Sequence, residues 1–145
     1  MWAAKGQILK VREIMHHNLK KTRPDTGLVE AARIMRDTEV GSLLVRQGNE
    51  LVGIITDRDI VCGAVAEERE LGATLIGEIM SKNVACCYDD QDVDDAAQIM
   101  GENKVRRLAV RDRDEHLVGI ITLSDLASSS TERSGAVVRT LMRHH

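Results

Sequence analysis

The chain has 145 residues, a formal net charge of −3, 43% hydrophobic residues and 30% charged residues, which is the size and balance of one compact globular domain. Its apolar runs are far shorter than the about 20 residues that cross a bilayer, and the first fifteen residues lack the apolar core of a secretion signal. We therefore expect a cytoplasmic protein with no membrane partner. The acidic balance argues against a nucleic-acid surface, and with no Phe, one Trp and one Tyr there are too few aromatic rings to stack single-stranded bases.

The same residues recur at one offset along most of the chain. Residues 13–15, Glu-Ile-Met, return 65 positions later at 78–80, and Leu-Val-Gly-Ile-Ile-Thr at 51–56 returns 66 positions later at 117–122. The additional residue lies in a turn, where an insertion is tolerated. The sequence therefore predicts a duplicated unit. Its limits are 8–66 for the first domain, 67–74 for a linker, 75–128 for the second domain and 129–145 for a C-terminal tail.

In the first copy the pattern predicts the order βαββα. A short strand over Asn18 to Thr22 precedes a helix capped by Asp25 or Thr26. The apolar face of that helix has the spacing i, i+3, i+4, i+7 and consists of Leu28, Ala31, Ala32 and Met35. Two strands, Ser42 to Arg46 and Leu51 to Thr56, are then joined by a turn with Gly48-Asn49, and a second helix begins near Asp57.

The second copy repeats this order. Its predicted elements are a strand over Asn83 to Cys87, a helix capped by Asp90 or Asp92 with the apolar face Val93, Ala96, Ala97 and Met100, strands at Leu108 to Arg111 and Leu117 to Thr122, and a helix from about Leu123. A loop over Ser128 to Ser134 and a short helix over Ala136 to Met142 are expected in the tail. The predicted class is α+β, with two βαββα units packed sheet to sheet about a pseudo-twofold axis because each unit alone leaves a sheet face open.

The three cysteines, Cys62, Cys86 and Cys87, form no Cys-x-x-Cys pair and have no Cys/His spacing suited to zinc. Neighbouring residues of a strand point to opposite faces, so Cys86 and Cys87 converge poorly on one ion. We expect small core residues here, with redox or metal chemistry as the alternative. No metal site and no obligatory cofactor are predicted.

Both copies end their last strand with glycine, two apolar residues, threonine, two variable residues and aspartate, at 53–59 and at 119–125. A hydroxyl and a carboxylate at this spacing suit a nucleoside phosphate. The Thr hydroxyl and free helix N–H groups donate to phosphate, and the carboxylate accepts from ribose hydroxyls. The same spacing is close to a helix capping box. The two interpretations are compatible, and the spacing alone does not choose between them.

From Val11 to about Ala127 the chain resembles a tandem pair of CBS domains, named after cystathionine β-synthase. The resemblance rests on the leading motif at 11–15 (VREIM), the strand at 40–45 (VGSLLV) and the two Gly-x-x-Thr-x-x-Asp motifs. It implies a disc-like pair that often forms a homodimer, with two clefts for an adenosine compound. Family members bind AMP, ADP or ATP, and some bind NAD or S-adenosylmethionine.

The resemblance also implies which residues line each cleft. The cleft closed by Thr122 and Asp125 takes Thr22, Pro24, Val40 and Gly41 from the first copy, with Arg106 and Arg107 facing the phosphates. The cleft closed by Thr56 and Asp59 takes Arg58, Val84, Ala85, Cys86 and Val105. For the two arginines at 106–107, a solvated strand edge is the alternative. Because Asp57-Arg58 stands where the second copy has Leu123-Ser124, the clefts are not equivalent. The cleft closed by Asp125 is the better equipped for a nucleotide, because it has two guanidiniums as well as a helix N-terminus.

An enzyme is not expected, because the sequence offers no activated Ser or Cys with a matched base, no metal set and no Walker-type loop. The predicted function is a regulatory, energy- or redox-sensing module that binds an adenosine nucleotide and acts through homodimer or partner-protein contacts. The alternative is a structural homodimerisation module that has lost ligand binding.

Overall fold

The computed structural model describes residues 9–17, 20 and 22–129. Its α-helices are α1 (Val11–Ile14), α2 (Leu28–Thr38), α3 (Asp57–Ile60), α4 (Val93–Asn103) and α5 (Leu123–Ser129). Its strands are β1 (Ser42–Gln47), β2 (Glu50–Thr56), β3 (Cys86–Tyr88), β4 (Arg107–Arg111) and β5 (Leu117–Thr122). A π-helical turn at Val61–Val65 continues α3, and short 3-10 turns lie at Leu71–Ala73 and Ile76–Glu78. The mixture of helices and strands, repeated twice, confirms the predicted α+β class.

Most predicted elements form at the expected residues. The hairpins β1–β2 and β4–β5 are antiparallel and pair Ser42 with Thr56 and Arg107 with Thr122. The first predicted strand of the second copy is formed at Cys86–Tyr88 and pairs in parallel with β4. In the first copy the described part of this strand reduces to a single parallel bridge between Thr22 and Val45. The predicted helix over residues 136–142, with the tail from residue 130 onward, lies outside the described residues.

Some local expectations were wrong. Helix α2 has Gly27 as its N-cap instead of Asp25 or Thr26, and glycine has no side chain with which to cap the helix. Ala32 is exposed, so the buried face of α2 is narrower than predicted. The segment from Ser128, predicted as a loop, begins inside α5. Cys62 is exposed and lies in the π-helical turn, whose buried residue is Ala64, so it is no core residue.

The described residues form two compact units. One, the continuous unit, contains residues from Lys20 to Val84, and the other, the split unit, joins residues 9–17 to residues 85–129. The boundaries of these units differ from those of the sequence repeats in one respect. The leading segment of each repeat, residues 11–16 in the first and residues 76–81 in the second, packs in the unit that carries the strands of the other repeat. The linear domain limits do not predict this arrangement.

In the split unit, the leading segment of the first repeat is attached to the second repeat by backbone hydrogen bonds. The Val11 amide donates to the Gln91 carbonyl, and the Val93 amide donates to the Leu9 carbonyl, both at 2.9 Å. Val11 and Met15 are buried in the core of this unit. The other buried members of that core are Cys87, Val93, Ala96, Ala97, Met100, Leu108, Val110, Ile121 and Leu126. Cys87 and the whole predicted face of α4 are therefore core residues, as expected.

The continuous unit repeats this arrangement with the equivalent residues. The Leu28 amide donates to the Thr74 carbonyl, and the Ile76 amide donates to the Thr26 carbonyl, both at 2.9 Å. Ile76, which corresponds to Val11, is completely buried. Its core partners are Ala31, Met35, Leu43, Val45 and Ile55. Each unit thus closes its hydrophobic core with a segment from the other repeat.

In the described part of the chain the longest helices, α2 and α4, have 11 residues each. That is about half the length a helix needs to cross a bilayer, and no described helix qualifies as a membrane span.

Candidate functional site

The two Thr-x-x-Asp motifs lie at equivalent strand-to-helix corners, one in each unit. In the split unit, the Thr122 amide donates to Oδ2 of Asp125 at 2.8 Å, and the Asp125 amide donates to Oγ1 of Thr122 at 3.2 Å. In the continuous unit the corresponding distances for Thr56 and Asp59 are 2.9 and 3.0 Å. Both motifs are therefore reciprocal capping boxes. Capping uses only one carboxylate oxygen of each aspartate.

The backbone amides at these corners are largely occupied, contrary to the expectation of free helix N–H groups. The Leu123 amide donates to the Arg106 carbonyl at 2.8 Å, and the Asp57 amide donates to the Gly41 carbonyl at 3.0 Å. The Arg58 amide donates to Oδ1 of Asp57. An anion at either corner would therefore have to be held mainly by side chains. Each Thr hydroxyl accepts from an amide and keeps its own proton available for donation.

The backbone of Arg106 and Arg107 lies next to Thr122 and Leu123. Arg107 is the register partner of Thr122, and the Arg106 carbonyl holds the first amide of α5. Arg106 is exposed and Arg107 is half-buried. Within residues 9–17, 20 and 22–129, neither guanidinium has an ion pair. We call Thr122, Asp125, Arg106, Arg107 and the histidine described next the Asp125 corner.

His16 completes this corner and was missed from the sequence. Its Nε2 lies 2.8 Å from Oδ1 of Asp125, with 55% of the His16 side chain and 13% of the Asp125 side chain exposed. Because a carboxylate only accepts hydrogen bonds, Nε2 must carry a proton. The two residues are 109 positions apart. The sequence signal that could have revealed His16 is a difference between the two copies, because the leading motif is followed by His16 in one copy and by Ser81 in the other.

The equivalent Asp59 corner consists of Thr56, Arg58 and Asp59. Among the described residues, Oδ1 of Asp59 has no side-chain partner, because the equivalent of His16 is the short and exposed Ser81. Arg58 is exposed and stands between two carboxylates, Asp57 and Asp59. The formal charge of these three side chains is negative, whereas the Asp125 corner has two guanidiniums for one carboxylate. The side chains at the two corners therefore differ in charge.

The other predicted residues are placed as follows. In the continuous unit, Thr22 is fully buried and its hydroxyl donates to the Leu44 carbonyl, and it lines a cavity of about 580 Å³ with Arg23, Thr26, Glu30, Arg46, Gly48 and Asn49. Of the remaining predicted residues, all are half-buried: Pro24, Val40, Gly41 and Val84 in the continuous unit, and Ala85, Cys86 and Val105 in the split unit. The grouping of residues from both units into shared clefts, which the resemblance implies, stays a proposal.

The turn between β4 and β5 holds the one group of possible metal ligands among the described residues. Donor atoms of Asp112, Asp114 and His116 lie within 4.8 Å of one another. Oδ1 of Asp112 accepts from the amides of Asp114 and His116, both at 2.9 Å. Hydrogen bonding from the His116 amide is the main cause that holds the pKa of Asp112 below its ordinary value. This carboxylate therefore caps the turn.

The fold and its two corners define a class: a paired, duplicated regulatory module. Comparison with known proteins identifies the family. The model of the CBS domain matches twice, at residues 11–63 and 76–132, so the chain belongs to the CBS domain family and contains two CBS repeats. The two matched segments correspond to the duplicated unit found in the sequence.

Relatives and solved structures agree with this assignment. The chain is 33% identical over 130 residues to the CBS domain-containing protein YhcV of Bacillus subtilis, covering 88% of this chain and 91% of that protein. The conserved CBS domain protein TA0289 of Thermoplasma acidophilum has a TM-score of 0.80 and 27% identity, covering 92% of this chain and 76% of that one. The CBS domain pair of protein MJ0100, solved in complex with 5′-methylthioadenosine and S-adenosyl-L-methionine, has a TM-score of 0.74 and 29% identity, covering 85% and 96%.

Proposed function

We propose that this CBS-domain pair binds an adenosine nucleotide at the Asp125 corner and acts as a non-catalytic, cytoplasmic regulatory module on a partner protein. The observation that carries the proposal is the combination of a largely shielded carboxylate, 13% exposed, with two arginines that have no ion pair in the described part of the chain. A carboxylate and unpaired guanidiniums on one corner suit a ligand that carries both hydroxyls and phosphate.

Each group has a definite task in this proposal. Asp125 accepts from the ribose hydroxyls, which gives short, charge-assisted hydrogen bonds. Thr122 donates its hydroxyl proton to a phosphate oxygen. Arg106 and Arg107 bind the phosphate, because a guanidinium presents its donors in a fork that matches phosphate oxygens. Thr22, Pro24, Val40 and Gly41 stay in the proposal as the adenine side of the site, on the family resemblance alone.

The complex of the similar MJ0100 domain pair supports the adenosine class. The charges at the two corners then favour different adenosine ligands. We assign phosphate-bearing compounds such as AMP, ADP and ATP to the Asp125 corner. The Asp59 corner, with Arg58 between two carboxylates, suits an adenosine compound without phosphate; its further contacts in this proposal are Val84, Ala85, Cys86 and Val105.

A second function, structural homodimerisation without a ligand, is favoured by one observation. Several large apolar side chains of the continuous unit are exposed, and the largest exposed fractions are 57% for Val61 and 52% for Val65. The others are Val29, Leu71 and Leu75. Burial of such side chains against a second copy would stabilise a dimer.

A thermal-shift screen with AMP, ADP, ATP, NAD and S-adenosylmethionine separates the two functions. A ligand at 100 times its Kd adds about 2.7 kcal/mol of stability, which raises Tm by about 9 °C for a chain of 145 residues. We expect such a shift with at least one phosphate-bearing adenosine compound. Unchanged melting curves with all five compounds would exclude the sensor and favour the structural module.

Two variants at Asp125 then separate binding from capping. Asp125→Asn keeps an oxygen that can accept from the Thr122 amide, so it should fold normally and lose affinity for AMP by about tenfold or more. Asp125→Ala should lose both affinity and about 1 kcal/mol of stability. Asp92→Asn is the matched control, since Asp92 also caps a helix of the split unit but lies at neither corner. Normal AMP binding by Asp125→Asn would overturn the assignment of this carboxylate.

A further inference from the structure

The Asp125 corner and the Asp59 corner differ in what covers the carboxylate. In the split unit, Oδ2 of Asp125 is engaged by the Thr122 amide and Oδ1 by the imidazole of His16. In the continuous unit, Oδ2 of Asp59 is engaged by the Thr56 amide. No described side chain engages its other oxygen. Both oxygens of Asp125 therefore already accept a hydrogen bond inside the protein, whereas one oxygen of Asp59 has no hydrogen bond from a described side chain.

His16 is held at this place by its backbone. Its amide donates to the Ile120 carbonyl at 2.9 Å, and its carbonyl accepts from the Ile120 amide at 3.1 Å. The preceding residue, Met15, packs against Gly119. The equivalent pair in the continuous unit, Ser81 and Ile54, has the same two backbone hydrogen bonds, both at 2.9 Å. The two leading segments are thus docked alike, and the side chain at this one position decides whether the carboxylate is covered.

We propose that His16 is a ligand-gating residue of the Asp125 corner: its imidazole occupies the hydrogen-bonding position that a ribose hydroxyl takes when a nucleotide binds. This inference rests on the proposed function. The ring donates to Oδ1 as a hydroxyl would, and its exposed side faces solvent, so it can rotate away without breaking the backbone bridge to Ile120. Binding at this corner therefore competes with the His16–Asp125 hydrogen bond, whereas no described side chain competes in this way at the Asp59 corner.

The proposal predicts that removal of the imidazole strengthens nucleotide binding. Isothermal titration with AMP is compared for the full chain and for His16→Ala, both in an Asp59→Asn background that silences the other corner. Because one hydrogen bond to a charged group no longer has to be broken, His16→Ala should bind AMP about 3- to 30-fold more tightly. His16→Gln, whose side-chain amide can still donate to Oδ1, should fall between the two.

His17→Ala is the matched control. His17 is the next residue, is exposed, and has no side-chain partner among the described residues, so its removal should leave AMP affinity unchanged. Thermal melting of each variant establishes that it is folded. Detectable binding in His16→Ala with none in the parent would be the strongest support for gating.

Two other outcomes are distinguishable. If the parent binds AMP and His16→Ala binds it equally or more weakly, His16 is no gate, and the proposed function stands. If neither protein binds AMP or any other compound of the screen, the adenosine function itself fails and the gate with it. The imidazole signal of His16 in NMR gives a separate check, because Asp125→Asn should shift it even without ligand.

Discussion

Met15 lies against Gly119 so closely that a Cβ added to that glycine would be 2.6 Å from the Met15 sulfur and 2.8 Å from the His16 carbonyl oxygen. Gly53 has the same relationship to Met80 and to the Ser81 carbonyl, at the same two distances. The absence of a side chain at each glycine therefore allows the leading segment of one repeat to dock on the last strand of the other.

Gly119→Ala should consequently destabilise the protein. The sulfur of Met15 can move, but the His16 carbonyl is fixed by its hydrogen bond to Ile120, so the backbone must shift. We expect a loss of about 1–3 kcal/mol in the free energy of unfolding, measured by urea denaturation. Gly72→Ala is the control, since no atom lies within 4 Å of its added Cβ. Equal stability of the two variants would contradict close docking at Gly119.

Gly27→Ser should stabilise the protein. Gly27 is the N-cap of α2, with φ −67° and ψ 146°, and the equivalent N-cap of α4, Asp92, has nearly the same angles and accepts from the Asp94 amide. A serine here would cap α2 and form a capping box with Glu30. The expected gain is about 0.3–1 kcal/mol in the free energy of unfolding. Gly27→Ala is the control, because it lowers only the conformational entropy of the unfolded chain. If Gly27→Ser is no more stable than Gly27→Ala, the cap does not form.

Burial raises the pKa of the Cys87 thiol from 9.0 to about 12. The free energy of unfolding should therefore depend on pH in the alkaline range. Below about pH 9 the thiol is neutral in the folded and unfolded states, and its contribution is complete. As the pH rises from about 9 towards 12, only the unfolded chain releases the proton, and the contribution is lost. The stability difference between the parent and Cys87→Ala should therefore shrink between about pH 8 and pH 10.5 in urea titrations. A constant difference would mean that the thiol titrates normally in the folded state.

Arg113 should control the titration of Asp90. Its guanidinium donates to both carboxylate oxygens, with Nε 2.9 Å from Oδ2 and Nη2 2.9 Å from Oδ1, and its carbon lies 4.1 Å from the Tyr88 ring centroid. The hydrogen bond from Arg113 is the main cause that lowers the pKa of Asp90. The associated stabilisation is present above the ordinary carboxyl pKa and is lost as the pH falls through the lowered pKa.

Arg113→Gln should therefore raise the pKa of Asp90 towards its ordinary value, as followed by carboxyl NMR signals. Arg33→Gln removes a charge that acts on Asp37 instead and should leave Asp90 unaffected. A response of Asp90 to both substitutions would point to a general charge effect in place of the specific pair.

The duplicated unit, its strands and its Thr-x-x-Asp corners were predictable because they depend on local patterns. Alternating and helical apolar spacings decide which segments become strands and helices, and Thr56 with Asp59, or Thr122 with Asp125, interact over three residues of one chain segment. The capping box is the part of these motifs that follows from local spacing alone.

Only the tertiary structure decided where the leading segments pack and, with them, the position of His16. Val11 and Ile76 are apolar residues in short segments, and the local sequence does not indicate which repeat buries them. The burial partner is decided by which hydrophobic core has an open edge against which the segment packs. The contact between His16 and Asp125 joins residues 109 positions apart through the bridge to Ile120. A local pattern contains no information about such a pair, because it is the docking of β5 and the leading segment that brings the two side chains together.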